Sequence, residues 1–278
     1  MTPPAEKVAL AKARWSLEHL DPIAETATSW VFRVEGGPHT PAVLKILQPH
    51  GADEFDGAAL LQWYGGLGAA ELYDAYDGMM LIEWLDGTPL GDIARVGRDR
   101  EATAVLAGVV RELHAPRGEP PAGLEPLARR FGTLLRAPPD TWPEAHRGDF
   151  ARATELAQEM LAATTAVVPL HGDFHHDNVV GSSRGWLAID PKGLIGDPAY
   201  DLSNVFRNPV GRSALAADPG RIAEVADVLS EHLGLERRRI LAWAAAHTAL
   251  SACWDREAGE PIDFNLTMLP RLLAAVDG

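Results

Sequence analysis

Residues 171–178 read HGDFHHDN, and twelve residues past the final Asn comes Asp190, in the segment LAIDPKG. One carboxylate, Asp173, thus stands five residues before an amide, Asn178, with a second carboxylate downstream. Phosphoryl transfer from a nucleoside triphosphate to an alcohol needs three such groups. One carboxylate takes the acceptor hydroxyl's proton, while an amide and another carboxylate hold Mg²⁺ on the phosphates. Mg²⁺ prefers a few hard protein oxygens, with phosphates and water supplying the rest, and one Asn with one Asp meets that preference. Asp173 is therefore the candidate base, and Asn178 and Asp190 are the candidate metal ligands.

The same order occurs in the protein-kinase motifs H-R-D-x-x-x-x-N and D-F-G. Here it reads His171-Gly172-Asp173, four residues, Asn178, then Asp190-Pro191-Lys192-Gly193. That arrangement also requires a strand lysine on the α- and β-phosphates, paired with a helix carboxylate. Lys45, inside the apolar run VLKIL, fits the lysine role. Glu54 is the candidate partner and Asp56 the alternative, although either also suits a first helical turn as a plain dipole partner. The segment ETATSW lies where a phosphate-covering turn would sit. Thr28 and Ser29 offer hydroxyl and backbone N–H donors there, or form an ordinary polar turn. No G-x-x-x-x-G-K-[ST] occurs, which excludes a Walker-type NTPase. Glu83-Trp84-Leu85 leads into a hinge, where the Glu83 carbonyl and the Leu85 amide are placed to meet an adenine edge. His171 and His175 are expected to brace the loop, and Asp201 to bond loop backbone or the loop histidine. Lys192 either neutralises phosphate charge or is simply exposed. For the acceptor, Trp254, Asp255 and Glu257, with Glu260 beyond, fall near the end of a predicted helix. Carboxylates there would hold ammonium or guanidinium groups, and Trp254 would cover a sugar face or a cation. The plainer reading is solvated acids and a core tryptophan.

Strands must position Lys45. SWVFRVE (29–35) and PAVLKIL (41–47), separated by Gly36-Gly37-Pro38, predict a hairpin, and a weak alternation over 15–20 predicts a strand before it. Helical spacing over 53–64 stops at Gly65-Gly66, and a second hairpin over 70–85 turns at Asp77-Gly78. Beyond Asp86-Gly87 the pattern is helical: about 100–114, 124–136, a helix capped by Asp149 to about 164, then 220–233, 237–255 and 265–276. Two short strands, Val179-Val180 and 186–189, carry the catalytic residues at their ends. The layout predicts an α+β bilobal fold. A small antiparallel-sheet lobe with one helix (1–85) binds nucleotide; a larger, mainly helical lobe (86–278) holds the catalytic loop, metal ligands and acceptor site.

Hydrophobic residues make up 46% of the 278-residue chain and charged residues 23%, enough for a sizeable core. A single cysteine, Cys253, excludes an internal disulfide and a cysteine metal cluster, and fits a cytoplasmic protein. The N-terminus lacks a signal-like apolar core, and no apolar run reaches the roughly 18 residues of a membrane span. The net charge of −14 disfavours nucleic acid and anionic membranes. It either attracts a cationic small substrate or serves solubility alone. A monomer and a homodimer are both compatible with the sequence.

HGDFHHDN, WLAIDPKGLIGDPAYD and the later LSACWDREAG together resemble the aminoglycoside phosphotransferase family of kinase-like enzymes, and most closely its streptomycin 6-phosphotransferase and hydroxyurea phosphotransferase branch. The resemblance spans nearly the whole chain. It implies a protein-kinase-like fold, ATP and Mg²⁺, and transfer to a small-molecule hydroxyl. The expected acceptor is an aminoglycoside such as streptomycin, with hydroxyurea or an unrelated metabolite alcohol as the alternative. It carries over Asp173 as base, Asn178 and Asp190 as metal ligands, and Lys45 as phosphate contact. Two features depart from the family pattern: Gly57 lies mid-helix near the expected pairing Glu, and the phosphate turn has no glycines. Two remoter readings stand beside it. One is a zinc metallohydrolase built on His171, Asp173, His175, His176 and Asp177. The other is a nucleotide-binding relative without catalysis.

Overall fold

The computed structural model describes residues 3–49 and 55–278. Its N-terminal part is a five-stranded antiparallel sheet: β1 (His19–Glu25), β2 (Ser29–Glu35), β3 (Ala42–Leu47), β4 (Leu72–Tyr76) and β5 (Met79–Glu83), in the order β1-β2-β3-β5-β4. Period-2 alternation assigns the faces. Ala42, Leu44 and Ile46 of β3 are buried against Trp30, Val34, Met79 and Leu81. Val43 and Lys45 therefore point to the opposite face, with Val31 and Ile82 of the paired strands.

Two helices accompany this sheet, where the sequence led us to expect one. Residues Ala5–Trp15 form α1, which buries Ala11 and Trp15 against the sheet core. The strand foreseen over 15–20 instead begins at His19 and continues through Pro22, with a bulge between Pro22 and Ala24. Proline has no N–H for a ladder, and β1 tolerates it because it is an edge strand. Asp56–Tyr64 form α2, which ends at Gly65 in the left-handed conformation.

The remainder is mostly helical, as expected. It contains α3 (Leu90–Arg95), α4 (Asp99–Leu113), α5 (Leu127–Arg130), α6 (Gly132–Arg136), α7 (Arg147–Ala162), α8 (Ser213–Ala216), α9 (Pro219–Leu233), α10 (Arg237–Ala258) and α11 (Asp263–Asp277). The helix expected over 124–136 is two short ones, because Glu125–Pro126 (β6) pairs with a strand and the poor helix former Gly132 opens a separate turn. Asp149 lies inside the first turn of α7 instead of capping it. The Ala-rich α10 is buried at every residue from Ile240 to Leu250, and α7, α11 and the segment 198–207 pack around it. Two small strand sets carry the candidate catalytic segments: the hairpin β8 (Val179–Ser182) and β9 (Gly185–Ala188), and a sheet of β6, β7 (Val168–Leu170) and β10 (Leu194–Gly196). No helix among the described residues is long and apolar enough to cross a membrane.

Candidate active site

Two strand registers bring the separated motifs together. In the β8–β9 hairpin Val179 faces Ala188, and Ile189 N–H donates to Asn178 O at 2.9 Å. The twelve-residue spacing thus places Asp190 beside Asn178. In the other sheet Leu170 faces Leu194, and Lys192 N–H donates to His171 O at 2.7 Å. That second register lays the 171–173 turn along the 190–193 turn. Asp173, Asn178 and Asp190 converge without any long connection to order.

The candidate base is held from several sides. Asn178 Nδ2 donates to Asp173 O (2.8 Å) and makes a longer contact to its Oδ2 (3.3 Å). Asn204 Nδ2 donates to Asp173 Oδ1 at 2.7 Å. The loop backbone rests on Asp201, whose side chain is fully buried: it accepts from His171 N–H (2.9 Å), Gly172 N–H (2.7 Å) and His114 Nε2 (2.8 Å). Of the two partners foreseen for Asp201, the structure thus shows loop backbone; its histidine partner is His114 and not the His171 ring. His171 Nε2–H donates to Ile189 O (2.8 Å), while its Nδ1 accepts from Asp173 N–H (3.3 Å). Those roles define the neutral Nε2–H tautomer, and burial holds its pKa below the ordinary histidine value. His175 Nδ1 accepts from Asp177 N–H (3.2 Å), its Nε2 lies 3.7 Å from Asp173 Oδ1, and burial lowers its pKa likewise.

Asp190 sits at φ 61°, a left-handed conformation that turns its carboxylate toward the strand lysine. Lys45 donates to Asp190 Oδ1, and Lys192 Nζ lies 3.7 Å from Oδ2. Burial opposes the Asp190 charge, but Lys45 and then Lys192 outweigh it and hold the carboxyl below its usual range. Gly57 of α2 packs directly on this turn: a Cβ there would lie 2.1 Å from Pro191 O. Close approach explains the glycine, which stands in the first turn of α2 and not mid-helix as the sequence suggests. Glu54 lies outside the described residues, and Asp56 is exposed at the start of α2.

A cavity of about 260 Å³ runs from Lys45 and Asp190 under the sheet, lined by Val31, Val43, Ala70, Ile82 and Ile189. Leu85 packs with Ala70, Val180 and Leu187 beneath it, and Glu83 borders it. An apolar cavity that also carries Lys45, Asn178 and Asp190 in its lining has the character of a site for a nucleobase and its phosphates. The Glu83 carboxylate is engaged by Arg184 and by Glu71 N–H (3.0 Å). Ser29 borders the cavity, but the turn's amides are already satisfied. Thr26 Oγ1 accepts from Thr28 N–H (3.2 Å) and Ser29 N–H (3.0 Å), a local side-chain turn that the sequence reading overlooked. The N–H donors expected from Thr28 and Ser29 are thus turned inward.

A second cavity, of about 460 Å³, opens on Asp173 and is lined by Lys192, Asn204, Arg207, Trp254 and Arg130 among others. Trp254 lines the same cavity as Asp173. Asp255 accepts from Asn265 Nδ2 (2.5 Å) behind the wall, and Glu257 borders a separate cavity with Cys253 and Arg256. The expected acidic lining is replaced by arginines. Asn204 and Arg207 were missed by the sequence reading; the only signal was their spacing of three and six residues from Asp201. The five residues of the zinc reading diverge. His171 bonds Ile189 O, Asp177 engages Arg95 (2.8 Å) and Val210 N–H (3.1 Å), and burial, then Arg221, push the His176 pKa down to about 3. No cluster able to hold a metal through His, Cys, Asp and Glu alone occurs among the described residues.

Comparison with known proteins identifies the family and the fold. Residues 14–259 match the family model described as aminoglycoside/hydroxyurea antibiotic resistance kinase. A streptomycin 3''-kinase from Klebsiella pneumoniae is 38% identical over 249 residues, covering 87% of this chain and 89% of the relative. A hydroxyurea phosphotransferase from Kitasatospora aureofaciens is 33% identical, covering 91% and 74%. Among solved structures, an aminoglycoside phosphotransferase from Streptomyces rimosus superposes with a TM-score of 0.63 at 20% identity over 90% of this chain and 98% of that one. The choline kinase LicA from Streptococcus pneumoniae gives 0.67 at 14%, over 98% and 99%. The fold is thus protein-kinase-like, and the chain belongs to the aminoglycoside/hydroxyurea antibiotic resistance kinase family, a phosphotransferase acting on a small-molecule hydroxyl.

Proposed function

We propose that this protein transfers the γ-phosphoryl group of ATP to a hydroxyl of an aminoglycoside of the streptomycin type. The observation that supports it best is that Asp173, Asn178, Asp190 and Lys45 meet between an apolar slot and a second cavity that opens on Asp173. The two parts of the chain, 1–85 and 86–278, act as the nucleotide lobe and the catalytic lobe. The enzyme works in the cytoplasm, where ATP is supplied.

Asp173 is the base. Its Oδ1 is engaged by Asn204, so Oδ2, with only the longer Asn178 contact, has lone pairs left for the acceptor's proton. As the acceptor oxygen bonds to phosphorus, that proton passes to Asp173 and ADP departs. Asn178 and Asp190 would hold Mg²⁺. The Asn178 amide nitrogen is engaged by Asp173, which leaves its oxygen for a cation, and Asp190 adds a charged oxygen, a hard donor set that fits the ion. When bound, Mg²⁺ neutralises phosphate charge. Lys45 exchanges its Asp190 partner for phosphate oxygens, Glu83 and Leu85 serve the adenine edge through their backbone, and Thr28 and Ser29 line the phosphates through hydroxyls. Trp254 borders the acceptor.

Hydroxyurea is the second acceptor class, favoured by the hydroxyurea phosphotransferase among the relatives. ATP consumption measured with streptomycin, other aminoglycosides, hydroxyurea and simple alcohols separates the two. Asp173→Ala should abolish transfer while keeping the Mg·ATP thermal shift, and Asp190→Ala should lose both. An active Asp173→Ala enzyme would place the base elsewhere.

A further inference from the structure

The segment Pro198–Arg207 is a ten-residue 3₁₀ helix, far longer than the three or four residues usual for that form. With three residues per turn, side chains at i, i+3 and i+6 eclipse one another. Asp201, Asn204 and Arg207 therefore share one face. Asp201 holds the backbone of the catalytic turn, and Asn204 holds the carboxylate of the base. The third member, Arg207, lines the acceptor cavity together with Asp173.

Arg207 is not balanced there by an acid. Its Nη2 donates to Ser251 Oγ at 3.0 Å and its Nη1 to Asn265 Oδ1. The nearest charge relay is indirect, from Asn265 Nδ2 to Asp255 Oδ2 at 2.5 Å. No ion pair to Arg207 occurs among the described residues. Burial pushes its pKa down to about 10, opposed by Asp255, so it remains charged near neutrality. The guanidinium carries five N–H donors, and two are engaged by these partners. Arg130, stacked 4.6 Å over the Trp254 ring, and Lys192 also line the cavity, but each is paired with a carboxylate, Arg130 with Glu125 at 3.3 Å and Lys192 with Asp190 at 3.7 Å, which leaves Arg207 as the lining cation without an acid of its own among the described residues.

We infer that Arg207 is a specificity residue that donates to an oxygen of the acceptor close to the reacting hydroxyl. The part of the acceptor that meets Arg207 presents an oxygen, and any ammonium or guanidinium group beside the reacting hydroxyl turns away from that side chain. This rests on the phosphotransferase reading and deepens it. It departs from a polycation-binding wall of carboxylates, which the chain's net charge of −14 would suggest.

The test is steady-state kinetics with ATP and whichever acceptor the wild-type enzyme turns over in the panel of streptomycin, hydroxyurea and inositol. Arg207→Met should raise the acceptor KM about 10-fold or more, the equivalent of about 1.4 kcal/mol, with the KM for ATP unmoved. Arg207→Glu should raise it further, and Arg207→Lys should restore part of the loss. Ser251→Ala, which loosens the guanidinium without removing it, should give a smaller rise and guards against a misfolded Arg207 variant. In the wild type, inorganic sulfate should compete with the acceptor and not with ATP. An unchanged acceptor KM in Arg207→Met, a lowered one in Arg207→Glu, or sulfate competing only with ATP overturns the inference alone. A wild-type enzyme that turns over none of the three overturns the acceptor reading proposed above, and this inference with it.

Discussion

Asp201→Ala isolates what holds the catalytic turn in place. The fully buried carboxylate accepts from two backbone N–H groups, His171 and Gly172, and from His114. Gly172 has φ 81°, a conformation the turn adopts while both amides point at one side chain. A hydrogen bond to a charged group contributes about 1.5–3 kcal/mol net, so losing the two backbone bonds costs about 3–6 kcal/mol. In a chain of this size each kcal/mol shifts the melting temperature by roughly 2–4 °C, giving a fall of about 6–24 °C. Asp201→Asn keeps the shape but has a single carbonyl oxygen, so it retains one of the two bonds and should fall by about half as much. The assay is thermal unfolding of the three proteins with ATP turnover alongside. Turnover should fall more than stability explains at a temperature where all are folded, because the amides fix the approach of Asp173. An Asp201→Ala protein that melts within about 3 °C of wild type, or a destabilised one with full turnover, would refute the reasoning.

Three further outcomes follow from the geometry. Asn204→Ala removes the 2.7 Å bond to Asp173 Oδ1; at about 1.5–3 kcal/mol this should lower the melting temperature by about 3–12 °C and, where the bond positions the carboxylate for reaction, kcat by roughly 10- to 150-fold, and a kcat within about threefold of wild type would contradict it. Gly57→Ala places a Cβ 2.1 Å from Pro191 O, so α2 and the Asp190 turn must part; the KM for ATP should rise, and an unchanged value would show that the contact relaxes freely. His171, His175, His176 and His247 are all held below the usual histidine pKa by burial. The unfolded chain takes up those protons near pH 6.5 while the folded one does not, so stability should be flat above that pH and fall below it. The slope approaches about 1.4 kcal/mol per pH unit per histidine, or about 5 for the four, and melting temperatures equal at pH 7.5 and 5.5 would rule this out.

What the sequence could show is governed by how locally each feature is encoded. Lys45 was legible because alternation along β3 is a local property: once Leu44 and Ile46 face the core, Lys45 must face the other way. The Asn178–Asp190 juxtaposition was legible for a similar reason, since the hairpin Val179–Ser182 and Gly185–Ala188 converts a fixed spacing into a fixed register. Helix α1 is not legible locally, because the burial of Ala11 and Trp15 that supports it depends on a sheet still to come in the chain. Glu257 was assigned to the acceptor by its nearness to Trp254. On α10, however, Cys253, Arg256 and Glu257 lie at i, i+3 and i+4 and share a face, while Trp254 is a quarter-turn round and meets a different cavity. Asn204 and Arg207 escaped because three-residue periodicity signals function only in a long 3₁₀ helix, a conformation that no composition announces.

The acceptor wall shows the limit most sharply. Charge counted along the chain is acidic, and the acids near Trp254 suggested a cation site. The wall itself is assembled from residues 130, 192, 207 and 254, brought together by folding, and there arginine replaces carboxylate. Net charge sets the long-range field that draws a ligand in; the few side chains at the cavity decide which of its groups goes in first. A cationic acceptor attracted by the first must still present an oxygen face to the second. Attraction and final orientation are thus separable in this enzyme, the first weakening with salt and the second, being partly buried, much less. The acceptor's kcat/KM should therefore fall with ionic strength in wild type and in Arg207→Met by similar factors, provided the added salt is chloride and not an oxyanion that fills the cavity. A variant whose salt dependence disappeared would show that Arg207 acts through the long-range field and not by contact.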